Sequence, residues 1–194
     1  MVDTPSTMLA LGTSAPDFSL PDTSGTIVSR DDFAEAPALL VMFISNHCPF
    51  VQHVADELAR LGRDYRDRGV AIVAICSNDV QNYPDDAPAF MARFASQRGF
   101  TFPVLQDESQ SVAQAYHAAC TPDFFLFGPD RRLAYRGQLD GARPGNGVAN
   151  DGRDLRAALD AVLAGEPAPE PQLPSMGCNI KWKAGNEPGY FTLS

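Results

Sequence analysis

The hydrophobic pattern changes its period at Cys48, and this change constrains the fold more than any other feature of the chain. Residues 38–44 (ALLVMFI) form a continuous apolar run, which is typical of a central strand buried on both faces. Pro49 suits the first position of a helix, where its missing N–H is not needed. Beyond it, apolar residues recur at intervals of three and four, which predicts an amphipathic helix carrying Val51, Val54, Leu58, Leu61 and Tyr65 on one stripe.

The rest of the pattern alternates strands with helices and then adds a hairpin. A small β-hairpin is predicted near the N-terminus, with Gly25 in its turn. Further strands are predicted at 70–75, 102–105, 124–127 and 132–136, and helices at 86–97, 109–117 and 154–164. This order predicts an α/β domain with a mixed sheet covered by helices on both faces. We expect residues 1–165 to form that domain and the Pro-rich residues 166–194 to form an extended tail that packs along its surface.

Charge and hydropathy exclude several classes of partner. The 194 residues include 15 basic and 24 acidic side chains, a net charge of −9, which repels nucleic acid and anionic lipid. The longest apolar run is far shorter than the roughly 18–20 residues of a membrane-spanning helix. The N-terminus lacks the features of a secretory signal and begins with Met, so we expect a cytoplasmic protein with reduced thiols. We expect no nucleic-acid or membrane partner.

The four cysteines form neither a zinc pattern nor a dense disulfide framework. Among them, Cys48 has the most informative position, because it lies between a buried strand and the start of a helix. The free N–H groups and the dipole of a helix N-terminus stabilise a thiolate, and strand ends of this kind carry the chemistry of open α/β sheets. An inert buried thiol is the alternative, but such a residue is usually part of an apolar pattern and does not lie between His47 and Pro49.

Several segments resemble a known family. Residues 43–50 (FISNHCPF) are similar to the active-site segment of thioredoxin-fold redox proteins, specifically the peroxiredoxin-like (alkyl hydroperoxide reductase/thiol-specific antioxidant) branch, with Ser45 three residues before the cysteine. Residues 15–18 (APDF) resemble the entry segment of that branch, and residues 120–125 (CTPDFF) resemble the Thr–cis-Pro element of thioredoxins. Residues 143–146 (RPGN) and 177–182 (GCNIKW) are similar to a thioredoxin-like subgroup.

This resemblance implies a thioredoxin-like fold with an N-terminal hairpin extension and thiol-based redox chemistry. Cys48 is then the nucleophile, Ser45 and His47 tune its thiol, and Pro122 shapes the loop that faces the substrate. The implied substrate is a protein disulfide or a small peroxide. The implied reductant is a thioredoxin or a low-molecular-weight thiol, and no cofactor is implied.

The sequence departs from the family pattern at three positions. Val51 stands where a thioredoxin has its second cysteine, and Ser45 stands where some relatives have a cysteine. Val41 stands where peroxiredoxins have a proline, and their peroxide-polarising arginine has no clear counterpart. An oxidised Cys48 must therefore be resolved by a more distant thiol or remain as a mixed disulfide.

Two cysteines are candidates for this resolving role. Cys120 precedes the Thr–Pro element by one residue, and Cys178 lies on the tail. Either residue could instead be a packed thiol that anchors its segment. Cys76, at the end of a predicted buried strand, is expected to belong to the core.

Other polar residues near the predicted site leave alternatives open. His47 or His53 could orient or deprotonate Cys48, or could be exposed at the helix entry. Arg143 could stabilise an anion or be a solvated loop cation, and Asn78, Asp79 and Tyr83 could border the site or form an ordinary turn. His117 and Cys120 could contribute to a metal site, although their spacing is weak evidence. The alternatives to disulfide exchange are therefore a peroxidase proper and a non-enzymatic redox-sensing or metal-binding module.

Overall fold

The apolar runs of the sequence form the strands of a mixed central sheet. The computed structural model describes residues 3–191. Its strands are β1 (Asp3–Pro5), β2 (Ser19–Pro21), β3 (Ile27–Ser29), β4 (Leu39–Phe43), β5 (Ala71–Cys76), β6 (Val104–Gln106), β7 (Cys120–Thr121), β8 (Asp123–Phe127), β9 (Leu133–Gly137) and β10 (Met176–Asn179). Its α-helices are α1 (Pro49–Arg66), α2 (Pro88–Arg98), α3 (Ser111–Ala115) and α4 (Arg153–Leu163).

The central sheet has the strand order β6-β5-β4-β8-β9. Strand β4 lies in the middle, parallel to β5 and antiparallel to β8. All five of its residues are buried, as the continuous apolar run predicts, because helices or loops cover both faces of the sheet. This arrangement directs the carboxyl end of β4 and the start of α1 to one edge of the sheet.

Two hydrophobic clusters cover the two faces of this sheet. One cluster joins alternate residues of β4, including Leu40 and Met42, to the apolar stripes of α1, α2 and α4. The other joins Leu39, Val41 and Phe43 to α3 and to the segment that contains β2 and β3. The side chains of β4 alternate between the two clusters because successive residues of a strand point to opposite faces. The predicted mixed α/β architecture with helices on both faces is confirmed.

The predicted N-terminal hairpin is present. Strands β2 and β3 pair antiparallel from Ser19–Ser29 to Pro21–Ile27. Gly25 has a φ of 90°, a left-handed conformation that costs glycine little. The hairpin lies beside the sheet because the buried Leu20 contributes to the second cluster.

The Pro-rich tail takes a more buried path than the sequence predicts. After Pro174 the chain forms β10, which is the middle strand of a second sheet with the order β1-β10-β7. Gly177 and Cys178 are buried, so the expected surface path is wrong for this stretch. None of residues 176–179 is a proline, so their N–H groups can join a strand ladder. In this ladder, Cys178 is paired with Thr121.

One helix boundary differs from the prediction in a way that affects the site. The predicted helix at 86–97 begins instead at Pro88, after a 3₁₀ turn at Pro84–Asp86. Ala87 has an extended backbone with a ψ of 151°, as expected for a residue that precedes proline. Asp86 is therefore outside the helix and fully buried. Among residues 3–191, no helix has the length and apolar content needed to cross a membrane.

Candidate active site

Cys48 lies at the N-cap of α1, directly after the polar segment that follows β4. Its side chain is completely buried. The neutral thiol donates a hydrogen bond to the backbone oxygen of Thr121, with a sulfur–oxygen distance of 3.1 Å. The Thr121–Pro122 peptide bond is cis. The structure thus brings Cys48 against the Thr–Pro element that the sequence resemblance places opposite it.

Cys178 is the second thiol at this position. It is paired with Thr121 in the β10–β7 ladder, and its side chain forms a hydrogen bond with that of Cys48. This hydrogen bond is the largest of the effects that lower the pKa of Cys48 from 9.0 to about 6, and they outweigh the opposing effect of burial. The Thr121 side chain and the N–H of Val51, in the first turn of α1, lower the pKa further. Together these hydrogen bonds favour the thiolate form of Cys48.

Cys178 has the complementary protonation state. Its hydrogen bond to Cys48 raises its own pKa, and burial and the negative charge of Cys48 act in the same direction. The pair thus shares one proton, which Cys178 holds while it donates to the Cys48 thiolate. Neither sulfur is part of a disulfide bond in the structure. A thiolate beside a protonated thiol on another element has the composition of a reduced redox pair.

The remaining two cysteines have different environments. Cys120 is fully buried, and its thiol donates to the backbone oxygen of Pro122 at 3.6 Å. Burial raises its pKa, and the neighbouring carboxyl of Asp123 adds to the effect. Burial likewise raises the pKa of Cys76, which packs in the first hydrophobic cluster as a core residue. The structure thus connects Cys48 to Cys178, and it gives no hydrogen bond between Cys48 and Cys120.

A buried carboxylate, Asp86, organises the polar segment before Cys48. It accepts hydrogen bonds from the Ser45 hydroxyl at 3.1 Å, the Asn46 N–H at 2.7 Å and the Asn78 side-chain amide at 2.7 Å. It also pairs with Nδ1 of His47 at 2.7 Å. Burial opposes its ionisation, but the hydrogen bonds from His47 and Asn78 prevail and lower its pKa. Ser45 therefore contacts the carboxylate, and no hydrogen bond between Ser45 and Cys48 is described for residues 3–191.

Sequence reasoning missed Asp86 as a site residue, because the helical pattern extends back to it. The Ala87–Pro88 dipeptide is the signal that could have identified it, because a residue before proline disfavours the helical conformation. A carboxylate left just outside a helix is free to turn inward. By contrast, the prediction that Asn78 and Tyr83 border the site agrees with their contacts to Asp86 and His47. The third residue of that group, Asp79, donates its backbone N–H to the Lys181 carbonyl.

The two histidines that flank Cys48 differ. His47 stacks on Tyr83 with ring centroids 5.3 Å apart, and its pKa is raised chiefly by the hydrogen bond to Asp86. His53 has no hydrogen bond to this network among residues 3–191: its backbone carbonyl accepts from Asn150, and its buried Nε2 has no partner among the described residues. His47 is therefore the histidine that belongs to the site.

Two further residues considered from the sequence, Arg143 and His117, have contacts of their own. Arg143 donates to the carbonyls of Asp140 and Ala142 and to the side chain of Gln138, so its guanidinium is held by its own loop. His117 stacks on Tyr190. Within residues 3–191, no group of three or more His, Cys, Asp or Glu side chains is arranged to hold a metal ion.

Comparison with known proteins identifies the family of this chain. Residues 11–136 match the model of the AhpC/TSA family. This chain belongs to the AhpC/TSA family.

Two curated relatives carry different functional names. "Putative peroxiredoxin Rv2521" of Mycobacterium tuberculosis is 30% identical over 116 residues, which cover 59% of this chain and 68% of that protein. The thiol-disulfide oxidoreductase ResA of Bacillus subtilis is 26% identical over 122 residues, covering 63% of this chain and 64% of ResA.

Solved structures place this AhpC/TSA chain in the thioredoxin-like fold. A hypothetical protein of Sinorhizobium meliloti, SMc02350, is 53% identical with a TM-score of 0.93, covering 94% of this chain and 100% of that one. A thiol:disulfide interchange protein of the thioredoxin family from Chlorobium tepidum is 18% identical with a TM-score of 0.62, covering 79% of this chain and 98% of that one. The second similarity shows the fold alone. The predicted fold and family resemblance are both confirmed.

Proposed function

We propose that this protein is a thiol–disulfide oxidoreductase in which Cys48 is the nucleophile and Cys178 is the resolving thiol. The observation that carries the proposal is the hydrogen bond between these two side chains, which lowers the pKa of Cys48 to about 6. A thiolate is the form that attacks sulfur. The partner thiol that stabilises it also lies where it can complete the reaction.

In the first step, the Cys48 thiolate attacks one sulfur of a substrate disulfide. A bond forms between Cys48 and that sulfur, the substrate S–S bond breaks, and the other sulfur leaves as a thiolate that takes up a proton. The resulting mixed disulfide has no negative charge on Cys48. The charge and the hydrogen bond that raise the pKa of Cys178 are therefore both lost once Cys48 has reacted.

In the second step, Cys178 gives up its proton and attacks the sulfur of Cys48. The bond between Cys48 and the substrate breaks, the second substrate thiol is released, and a Cys48–Cys178 disulfide remains. The substrate has gained two electrons and two protons. Both electrons and one proton come from the Cys48–Cys178 pair, and the other proton comes from solvent. A thioredoxin or a low-molecular-weight thiol would restore the dithiol, which suits a reducing compartment such as the cytoplasm.

Peroxide reduction is the second candidate function, and the complete burial of Cys48 favours it, because a small oxidant reaches a buried sulfur more easily than a protein does. The thiolate would attack one peroxide oxygen to give a sulfenic acid and release an alcohol or water. Cys178 would then condense with the sulfenic acid and release water. Both reactions end in the same internal disulfide, so their rates must distinguish them. Stopped-flow oxidation by hydrogen peroxide should be orders of magnitude faster than that of an ordinary thiol only for a peroxidase.

The test of the proposed pair is a single oxidation of the reduced protein by one equivalent of a small disulfide, followed by peptide mass spectrometry. We expect wild type to lose two hydrogens and to yield a peptide pair joined through Cys48 and Cys178. Cys178→Ser should stop at the mixed disulfide on Cys48. Cys48→Ser should react at least about 1000-fold more slowly, because the remaining thiols are protonated and buried.

Two further variants complete this test. Cys120→Ser should form the same internal disulfide as wild type, and so should Cys76→Ser, whose thiol is in the core. A Cys48–Cys120 disulfide in wild type would assign the resolving role to Cys120. Undiminished oxidation of Cys48→Ser would remove the nucleophile from the proposal.

A further inference from the structure

Asp86 is held in the site by several hydrogen bonds and by an ion pair with His47. It is completely buried, yet hydrogen bonds and its pairing with His47 hold it in the ionised form. The Asn46 N–H donates to one of its carboxylate oxygens, and the Asn78 amide donates to the other. A buried carboxylate with several donors is costly to remove and rigid in place. It therefore provides a fixed point against which a neighbouring side chain can be oriented.

That neighbouring side chain is His47. Nδ1 of the imidazole lies 2.7 Å from Asp86, and the ring lies nearly parallel to that of Tyr83, at an angle of 13°. Two contacts of this kind determine both the position and the tilt of the ring. The other ring nitrogen, Nε2, has no hydrogen-bond partner among residues 3–191, and about a quarter of the side chain is exposed. Nε2 is thus the free edge of an otherwise immobilised imidazole.

Three charged groups act on the imidazole. Asp86 favours the protonated form from the 3₁₀ turn, and Cys48 favours it from the start of α1, whereas Lys181 on the tail opposes it. Tyr83 contributes its ring face, over which Lys181 also lies, with Nζ 5.7 Å from the centroid. The imidazole is thus partly exposed, lies one residue from Cys48, and has a raised pKa.

The inner side of Cys48 is occupied by protein. The carbonyl of Thr121 and the thiol of Cys178 both contact its sulfur. His47 immediately precedes Cys48 and interacts with it electrostatically, so a substrate disulfide that approaches on this side meets the imidazole. Displacement at sulfur is in line, so the leaving sulfur points outward along that approach. A thiolate of ordinary basicity leaves slowly unless a proton reaches it.

We propose that Asp86 is a positioning residue that holds His47 so that Nε2 protonates the thiolate leaving the substrate. This inference rests on the proposed disulfide chemistry at Cys48. In the first step, the proton on Nε2 passes to the leaving sulfur, and His47 becomes neutral while Asp86 stays ionised. His47 regains a proton from solvent, or takes up the proton that Cys178 releases in the second step, so no proton is gained or lost over the cycle beyond those in the product thiols.

The experiment compares two uncharged disulfides that differ in how much their leaving group needs a proton. One is 4,4′-dithiodipyridine, whose leaving thiolate is stabilised without a proton. The other is 2-hydroxyethyl disulfide, whose leaving thiolate is an ordinary alkyl thiolate. Rate constants for both are measured at neutral pH with reduced wild type, His47→Gln and Asp86→Asn. The ratio of the two rate constants is independent of the thiolate fraction of Cys48, because both reactions use the same nucleophile.

We expect His47→Gln and Asp86→Asn to lower the rate with 2-hydroxyethyl disulfide by about 10- to 100-fold, the range of general acid catalysis. The rate with 4,4′-dithiodipyridine should change by less than about 3-fold. His117→Asn is the matched control, since His117 also stacks on a tyrosine, with a centroid distance of 5.0 Å, and should leave the ratio unchanged. In the double variant, Asp86→Asn should add little to the loss caused by His47→Gln, because the carboxylate acts through the imidazole.

An equal loss with both disulfides would overturn the proposal, because His47 and Asp86 would then act on Cys48 or on the fold. An unchanged ratio in either variant would also overturn it. If Asp86→Asn does not fold, Asp86→Glu takes its place, because it keeps the charge but displaces the carboxylate by one methylene; the ratio should then fall partway. A wild-type protein that reacts with neither disulfide would instead refute the proposed function.

Discussion

Cys48 and Cys76 provide a comparison within one sheet. Both thiols lie at the carboxyl ends of adjacent parallel strands, β4 and β5, and both are completely buried. Yet the pKa of Cys48 is lowered to about 6, whereas burial raises that of Cys76. The difference comes from the donors. Cys48 accepts hydrogen bonds from the Cys178 thiol and from the N–H groups of Val51 and Cys178. Cys76 accepts the Asn78 N–H, and its thiol donates to the Asp86 carbonyl at 3.8 Å.

This comparison shows that depth alone does not decide whether a thiol is reactive. Burial without donors favours the neutral form of a thiol, and burial with donors can favour the charged form. The donors of Cys48 come from α1 and from β10, so its acidity depends on segments far apart in the sequence. Substitutions at three positions, Gly177, Cys178 and Asp123, test this explanation of thiol acidity.

The largest expected effect comes from Gly177→Ala, because this substitution should displace Cys178 from Cys48. A Cβ at this position would lie 2.0 Å from the backbone oxygen of Thr121, so β10 must move away from β7 and carry Cys178 with it. We expect the absorbance of the Cys48 thiolate at 240 nm to be lost at pH 7 and Tm to fall by roughly 4–8 °C.

The control for this substitution is Gly189→Ala, because a Cβ there meets no atom within 4 Å. It should change neither the thiolate absorbance nor Tm. If Gly177→Ala keeps a Cys48 thiolate at pH 7, then the position of β10 does not determine the acidity of the nucleophile.

A smaller effect is expected when Cys178 alone is changed. Cys178→Ala removes the donor to Cys48 and should raise the pKa of Cys48 by about 1–2 units, the equivalent of one hydrogen bond to a charged group. Cys178→Ser keeps a hydroxyl donor and should leave the pKa near the wild-type value. Titration of the 240 nm absorbance compares the two variants directly, and identical titration curves for them would contradict the assigned role of the hydrogen bond.

The smallest effect on thiol chemistry is expected from Asp123→Asn, because Asp123 acts on the buried thiol of Cys120. Burial raises the pKa of Asp123 to about 8, and its charge contributes to the raised pKa of Cys120. The folded protein therefore holds a proton that the unfolded chain releases near pH 4, so stability falls as pH rises from about 4 to 8.

Asp123→Asn should remove about 3–4 kcal/mol of this decline between pH 5 and pH 8 and should change the rate of Cys48 by less than about 3-fold. Denaturant unfolding at the two pH values measures the first effect. A decline of the same size in wild type and variant would show that Asp123 does not carry it.

Local patterns sufficed to predict the fold and the position of Cys48 at the start of a helix. The apolar run before Cys48 and the helical stripe after it depend only on neighbouring residues, so the sequence reveals both the strand–helix junction and the position of the thiol within it. The same holds for the hairpin turn at Gly25. These features need no knowledge of what lies across the molecule.

The partners of Cys48 could not be ranked in this way. Cys178 lies 130 positions from Cys48 along the chain, and only the pairing of β10 with β7 brings them together. The prolines that precede β10 suggested a surface path, and Cys120 seemed an equally good candidate because it lies close to Pro122 in sequence. Asp86 was hidden within a helical pattern. In each case, tertiary pairing determines the environment, and a local pattern contains no distance across the fold.

The order of strands in the small sheet has a consequence for synthesis of the protein. Strand β10 lies between β1, the first strand described, and β7, and it is the last described strand to leave the ribosome. Until it arrives, the growing chain can complete the central sheet around Cys48 but lacks the donor that makes its sulfur acidic. The nascent chain would therefore carry Cys48 as a thiol of ordinary acidity, and its sulfur would become acidic only after β10 has been synthesised and has paired with β7.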